Sequence, residues 1–329
     1  MTKINLKTKD KVKVGRKNKS AALCACNEEG YGCFALLRND GILPLKLTKN
    51  LAILECKKSK SIATSRVLYK GFQQIGDAKQ FVHVSHVLGQ KLPKNEIKTT
   101  LKQLKKFSIV LMYIGNDVNN DIEELIQLAV AIKKHASVIL CYHKTYSLLS
   151  SSLISCANAI FACFNKDKED GKALCNLILG YSSPYARVCI DGAEPFPYTC
   201  FTEDIKQEYA FIGYGLSYVN FSYTNVYLSC HTAKIGEFIN VEVVVTNNSI
   251  YKSSEIAQTF VTPKQTFKPY LVDYGKFDIS VGESVTLSFT IDTSKLDYSA
   301  FESDGECEFY ACIGKSSTDC VRVPFKVIF

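Results

Sequence analysis

The chain changes its hydrophobic rhythm once, and that change constrains the fold more than any other feature. Between Leu51 and Gly180, short apolar runs alternate with stretches of helical period. Phe107 to Ile114 (FSIVLMYI) is continuously apolar, as expected for a strand covered on both faces. Ile122 to Lys134 follows with Ile122, Leu125, Ile126, Ala129 and Ile132 recurring at three- and four-residue steps, the pattern of an amphipathic helix. Ser137 to Tyr142 reads as a strand, Leu148 to Cys156 as a short helix and Ala159 to Phe164 as a strand. Gly171 to Leu179 reads as a helix ended by Gly180. Alternation at this length predicts an α/β sandwich: a mostly parallel sheet with helices on both faces.

From Asn225 onward only short β runs remain. Val226 to Cys230, Phe238 to Thr246, Glu255 to Thr262, Ser284 to Asp292, Glu306 to Ile313 and Val321 to Phe329 are expected strands. The turn signals Asn247-Asn248-Ser249, Val281-Gly282-Glu283 and Asp304-Gly305 separate them. Such spacing over about 100 residues predicts a β-sandwich. Between the two regimes, residues 181–208 carry Pro184, Pro195 and Pro197 with little periodicity, and read as a linker or long surface loop.

The first fifty residues are less regular. Ser20 to Leu37 reads as helical; Asn39-Asp40-Gly41 is a turn signal and Pro44 forbids helix continuation. Leu51 to Leu54 and Phe81 to Val87 read as strands, and Glu96 to Lys106 as a basic amphipathic helix. The expected organisation is a basic arm over 1–19, an α/β sandwich over 20–190, a linker over 191–214 and an all-β sandwich over 215–329.

Charge is concentrated at the start. Residues 1–20 hold eight Lys or Arg against Asp10 alone, which accounts for +7 of the net +8. A solvated terminal arm is the plain reading. No aromatic interleaving supports a nucleic-acid surface, so no nucleic-acid partner is expected. No apolar run reaches the ~18–20 residues of a membrane span. No apolar stretch follows the basic start as a signal peptide requires, so a cytoplasmic location is expected. The 14 cysteines sit mostly inside apolar runs, as in Ile139-Leu140-Cys141, which suits buried free thiols in a reducing compartment.

Few residues form a chemical constellation. His83 and His86 lie three apart on an expected strand, hence on opposite faces. His135 and His143 flank one strand. Cys24 and Cys26 are close, as are Cys307 and Cys312, but no histidine stands at zinc-finger spacing from either pair. Gly76-Asp77 and Gly213-x-Gly215 lack the strand–glycine–helix context of a phosphate loop. No metal and no cofactor are expected.

Tyr209 to Tyr218 (YAFIGYGLSY) sets two glycines among aromatics ahead of a β-type run, which predicts a tight, closely packed junction. With what flanks it, this segment resembles the FGYGLSY-x-x-F junction of glycoside hydrolase family 3, the β-glucosidase-type enzymes. Leu36 to Leu45 (LLRNDGILPL) is similar to the segment that enters that family's α/β sandwich. Asp170 to Gly180 resembles the family's G-x-A-L-A-D-V-L-x-G helix, and Ser183-Pro184 with Arg187 its Pro-Ser-Gly-Arg turn. Val243 to Asn248 and Val281 to Ser284 are similar to segments of its fibronectin type III-like domain.

The resemblance covers about 20–329 and implies a fibronectin type III-like fold for the all-β half. It also implies retaining hydrolysis of β-glucosides, which needs two carboxyl groups about 5–5.5 Å apart. In the family the nucleophile sits on a (β/α)8 barrel of roughly 250 residues, and no residue here matches it. The acid/base, where present, follows the strand matching Phe107 to Ile114. Here that loop offers Asp117, while Asp121, Glu123 and Glu124 read as residues of a helix N-terminus, favoured by its dipole. The expectation is a non-catalytic scaffold or binding protein with no catalytic residues of its own. The alternative is one subunit or fragment of a split β-glucosidase that hydrolyses O-glycosyl bonds with a separate barrel chain. The expected partners are such a barrel or a carbohydrate.

Overall fold

A computed structural model describes residues 34–46, 50–57, 64–75, 81–88, 94–115, 122–143, 151–163, 170–187, 213–266, 269–299, 301 and 305–329. The first half builds β1 (Phe34–Asn39), β2 (Leu51–Lys57), α1 (Thr64–Ile75), β3 (Phe81–Val87), α2 (Lys94–Leu104) and β4 (Ile109–Ile114). It continues with α3 (Ile122–Lys133), β5 (Ser137–His143), α4 (Ser151–Cys156), β6 (Ala159–Cys163) and α5 (Asp170–Leu179). Six strands form one sheet in the order β1-β6-β5-β4-β2-β3. Strands β2 to β6 run parallel, and β1 joins β6 antiparallel.

All six residues of β4 and all five of β6 are buried, because helices cover both faces. Alternate side chains divide between two cores. Val110, Met112 and Ile114 pack with Leu125, Leu128, Ala129 and Ile132 of α3, and with Leu153 and Ile154 of α4. Ile109, Leu111 and Tyr113 pack with Phe72 of α1 and with Leu174, Leu177 and Ile178 of α5. Helices α1 and α5 pack on each other at Gly71, where a Cβ would stand in ordinary contact with the Cys175 side chain at 3.4 Å.

One expectation is corrected here. Phe34 to Leu37 is strand, not the end of a helix, while 20–33 lie outside the described residues. Phe34 and Leu36 enter one core and Ala35 and Leu37 the other, so all four bury their side chains only as a strand between two helical layers. The predicted turn after it is real: Gly41 has φ +83°, and the Asn39 side chain exchanges hydrogen bonds with the Leu43 backbone. Helix α1 has no counterpart among the elements expected from the sequence.

The second half builds β7 (Phe221–Leu228), β8 (Thr232–Lys234), β9 (Phe238–Asn247), β10 (Ser253–Pro263) and β11 (Tyr270–Ile279). Then come β12 (Ser284–Asp292), β13 (Glu306–Gly314) and β14 (Cys320–Ile328). A five-stranded sheet β11-β10-β13-β14-β8 faces a three-stranded sheet β12-β9-β7. Strand β9 shows the logic: Ile239, Val241, Val243 and Val245 are fully buried while the residues between face outward. The strand expected at Val226 to Cys230 instead starts at Phe221, because Asn225 (φ 52°) sits in a bulge that interrupts the pattern. Strand β11 is not among the expected strands; Asp273, Gly275, Lys276 and Asp278 break its alternation, and it lies at a sheet edge. Among the described residues no helix is long and apolar enough to cross a membrane.

Candidate functional site

Two places concentrate polar side chains. The first lies where the parallel sheet reverses its winding. Strand β2 has β3 on one side and β4 on the other, so the connections diverge at the C-terminal ends of β2 and β4. Open α/β sheets bind ligands in such a crevice. There Gly115 donates its backbone N–H to the Cys56 carbonyl at 3.2 Å, holding the exit of β4 against the exit of β2.

His86 is buried beside this crevice. Its Nδ1 lies 3.0 Å from Thr100 Oγ1 of α2, and its Nε2 lies 2.9 Å from Glu124 Oε1 in the first turn of α3. The imidazole thus ties two helices to β3. Cys56, fully buried, has its thiol pushed well up by burial, then by the nearby charges of Glu124 and Glu55. His83 belongs to the opposite face, as the strand period requires. Its Nε2 lies 3.4 Å from Glu55 Oε2, and its ring centroid is 6.0 Å from that of Tyr69 of α1.

Glu55 and Glu124 therefore approach from opposite faces of the sheet, each beside a histidine, and do not face one another across a cleft. Glu123 is exposed. Asp117 and Asp121 lie outside the described residues. His135 is exposed, and the side chain of His143 lies outside the described residues.

The second place is the junction predicted at the glycine pair, of which residues from Gly213 onward are described. Leu216 donates its N–H to the Leu36 carbonyl at 2.7 Å, which covers the free edge of β1. Tyr214 and Tyr218 donate their hydroxyls to the carbonyls of Leu37 (3.3 Å) and Leu177 (2.9 Å). The glycines are required for contact. Gly213 has φ +82°, and a Cβ there would meet the Gln258 amide at 2.3 Å. A Cβ on Gly215 would stand 2.4 Å from the Ala186 carbonyl oxygen.

Arg187, 1% exposed, spans the junction. Its Nη2 donates to both oxygens of the fully buried Glu255 of β10 at 3.0 and 2.9 Å, and its Nη1 donates to the Gly215 carbonyl. Tyr223 donates its hydroxyl to Glu255 at 2.8 Å; burial, then the Glu255 charge, raise that phenol well above its ordinary value. A cavity of about 260 Å³ opens beside this pair and is also lined by Tyr218, Lys315 and Asp319. Sequence reading singles out Arg187 but not its partner: Glu255 stands in a strand whose inward positions predict apolar residues, and nothing local marks it as paired.

Among the described residues no three His, Cys, Asp or Glu side chains converge on a metal position. Cys307 enters the sandwich core, whereas Cys312, an odd number of residues along β13, projects from the opposite face. Cys24 and Cys26 lie outside the described residues.

Comparison with known proteins gives a consistent neighbourhood. No protein-family model matches the chain. A Formosa agariphila protein named "Putative beta-xylosidase" is 24% identical over 94% of this chain and 47% of its own length. The lysosomal beta glucosidase of Dictyostelium discoideum is 25% identical over 65% of this chain and 30% of its own. Among solved structures, the Listeria innocua beta-glucosidase superposes with a TM-score of 0.72 at 17% identity, covering 95% of this chain and 51% of that one. The Bifidobacterium adolescentis GH3 beta-glucosidase gives 0.67 at 18%, covering 89% and 51%. The chain thus spans about half the length, or less, of the relatives it matches.

Proposed function

From the premise that this chain is glycoside hydrolase family 3-like, similar to β-glucosidase and β-xylosidase proteins over most of its length, we propose that it is a scaffold or binding element of carbohydrate metabolism. In this reading the described residues do not themselves cleave glycosidic bonds. One observation carries the proposal: the buried carboxylates are already engaged. Glu255 is held by Arg187 and Tyr223, and Glu55 lies beside His83 on the face of the sheet away from Glu124. A retaining glycosidase needs two carboxyl groups about 5–5.5 Å apart with room for a sugar between them. Purified protein should leave aryl β-glucosides and β-xylosides intact. Turnover that a single carboxylate substitution abolishes would refute the reading.

A second reading is favoured by the length of the relatives, of which the chain spans 47% and 30% in the two sequence matches cited. Here the chain works with a (β/α)8 barrel that supplies the nucleophile, as one part of a split O-glycosyl hydrolase. Recovery of a barrel protein with this chain from its native cell supports that reading; recovery of the chain alone opposes it. Both readings divide the chain into an arm over 1–19, an α/β sandwich over 20–190, a linker over 191–214 and a fibronectin type III-like sandwich over 215–329. The confinement of one sheet to 34–163 and of the other two to 221–328 supports that division. A cytoplasmic location draws support from the nine described cysteines, all unbridged.

A further inference from the structure

The junction cavity has one donor in its wall that holding the fold together does not engage. Arg187 lines the cavity and is 1% exposed. Its Nη2 is committed to Glu255 and its Nη1 to the Gly215 carbonyl. Its Nε is buried as well, and finds no hydrogen-bond partner among the described residues. A guanidinium N–H can only donate, and a buried donor is costly to leave unmade. Gly215, also in the lining, packs against the same end of the side chain: a Cβ there would stand 3.4 Å from Arg187 Cδ, the carbon bonded to Nε.

The other walls indicate what kind of molecule answers that donor. The charged residues of the lining are two of each sign, Arg187 with Glu255 at 2.9 Å and Lys315 with Asp319 at 3.4 Å. An anion drawn to Arg187 meets the Glu255 carboxylate, and a cation drawn to Glu255 meets the guanidinium. A neutral molecule escapes both repulsions, and one that carries hydroxyls can accept from Nε and from Lys315 while donating to Asp319. Tyr214 and Tyr218 line the same space. Their hydroxyls are fixed on the Leu37 and Leu177 carbonyls, which leaves the rings as the apolar part of the wall. At about 260 Å³ the cavity falls just under the ~300–1,000 Å³ of drug-sized sites, room for one ring rather than a chain.

We propose that this cavity binds one neutral pyranose sugar. A hydroxyl of the sugar takes the Arg187 Nε hydrogen bond, others reach Lys315 and Asp319, and the C–H surface of the ring lies among Tyr214 and Tyr218. The inference rests on the reading of this chain as a binding element, and it names what that element holds and where. Lys315 and Asp319 are 27% and 71% exposed, so they form the mouth, and the buried Arg187–Glu255 pair forms the inner wall.

The chain has five arginines: Arg16, Arg38, Arg66, Arg187 and Arg322. Isotope labelling of arginine nitrogen in the full-length protein makes their Nε–H groups separately visible by NMR. Lys replacement of each of the others in turn assigns the Arg187 signal without touching Arg187. D-Glucose, D-xylose and inorganic phosphate are then titrated separately. The expected result is a saturable shift of the Arg187 signal with at least one sugar, larger than for any other arginine, and no shift with phosphate. Lys315→Met removes a charged donor at the mouth and should weaken that binding about tenfold or more. An Arg187 signal that neither sugar moves, that moves without saturating, or that phosphate moves overturns the proposal, as does unchanged sugar affinity in a folded Lys315→Met. The wild-type titration decides even if that variant does not fold. Glycoside turnover is read separately, so the two failures are distinguishable: released aryl group refutes the non-cleaving reading, and an unmoved Arg187 signal refutes this inference.

Discussion

Replacing Arg187 by Met should damage this protein more than any surface change, because it strands a charge. Arg187 follows the α/β half and Glu255 lies in the β-sandwich; the two are 1% and 0% exposed, so neither charge reaches water. With Arg187 gone, Glu255 keeps only the Tyr223 hydroxyl as a described side-chain donor, and the Gly215 carbonyl loses the arginine as well. Removing one partner of a buried ion pair costs about 3–5 kcal/mol. That is a large part of the ~5–15 kcal/mol by which domains are stable. The companion test removes both charges. Arg187→Met with Glu255→Leu leaves no buried ion and orphans only Tyr223 and one carbonyl, so most of the loss should return. Urea unfolding followed by circular dichroism measures the wild type and three variants, Arg187→Met, Glu255→Leu and the double, and the double-mutant cycle gives the coupling directly. The reasoning fails if Arg187→Met lies within about 1 kcal/mol of the wild type, or if the double variant is the least stable of the three.

Three further outcomes are expected. Gly215→Ala should cost about 1–3 kcal/mol in the same urea assay, since its methyl meets the Ala186 carbonyl, which is backbone and cannot swing away; an unchanged midpoint would contradict the close approach. Alkali should destabilise the fold: burial raises Tyr218 and Tyr223 above the ordinary phenol value and pushes Tyr270 and Tyr298 up to about 12. Groups raised on folding stabilise fully below their unfolded value near ~10, and that contribution disappears as pH rises through the folded one. The urea midpoint should therefore fall from about pH 10 to pH 12, and a flat profile would oppose the account. Finally, His86→Ala should loosen α2 and α3 together, read as faster amide exchange in both helices, because one ring holds Thr100 and Glu124; exchange confined to β3 would argue against that link.

The legibility of the chain follows its periodicity. Strand β4 and helix α3 are readable because their burial is uniform or strictly periodic, and β9 because its alternation is clean. Phe34 to Leu37 misleads because four consecutive apolar residues carry no period; pairing with β6 decides their state. Strand β11 hides behind Asp273, Gly275 and Lys276, which an edge strand tolerates. The glycine junction is legible as a place of close packing, since Gly213 and Gly215 give backbone and rings room to approach where larger residues would hold them apart. The polar partners are not. Arg187 finds Glu255 68 residues away, a pairing that only the folded chain defines.

The central claim is that the buried carboxylates are committed to holding the fold, and it meets its sharpest test in a single assay. Purified protein is incubated with aryl β-glucoside and aryl β-xyloside, alongside Glu55→Gln, Glu124→Gln and Asp117→Asn. The account predicts no release of the aryl group by any of the four. Release by the wild type that is lost in one of these variants would contradict it.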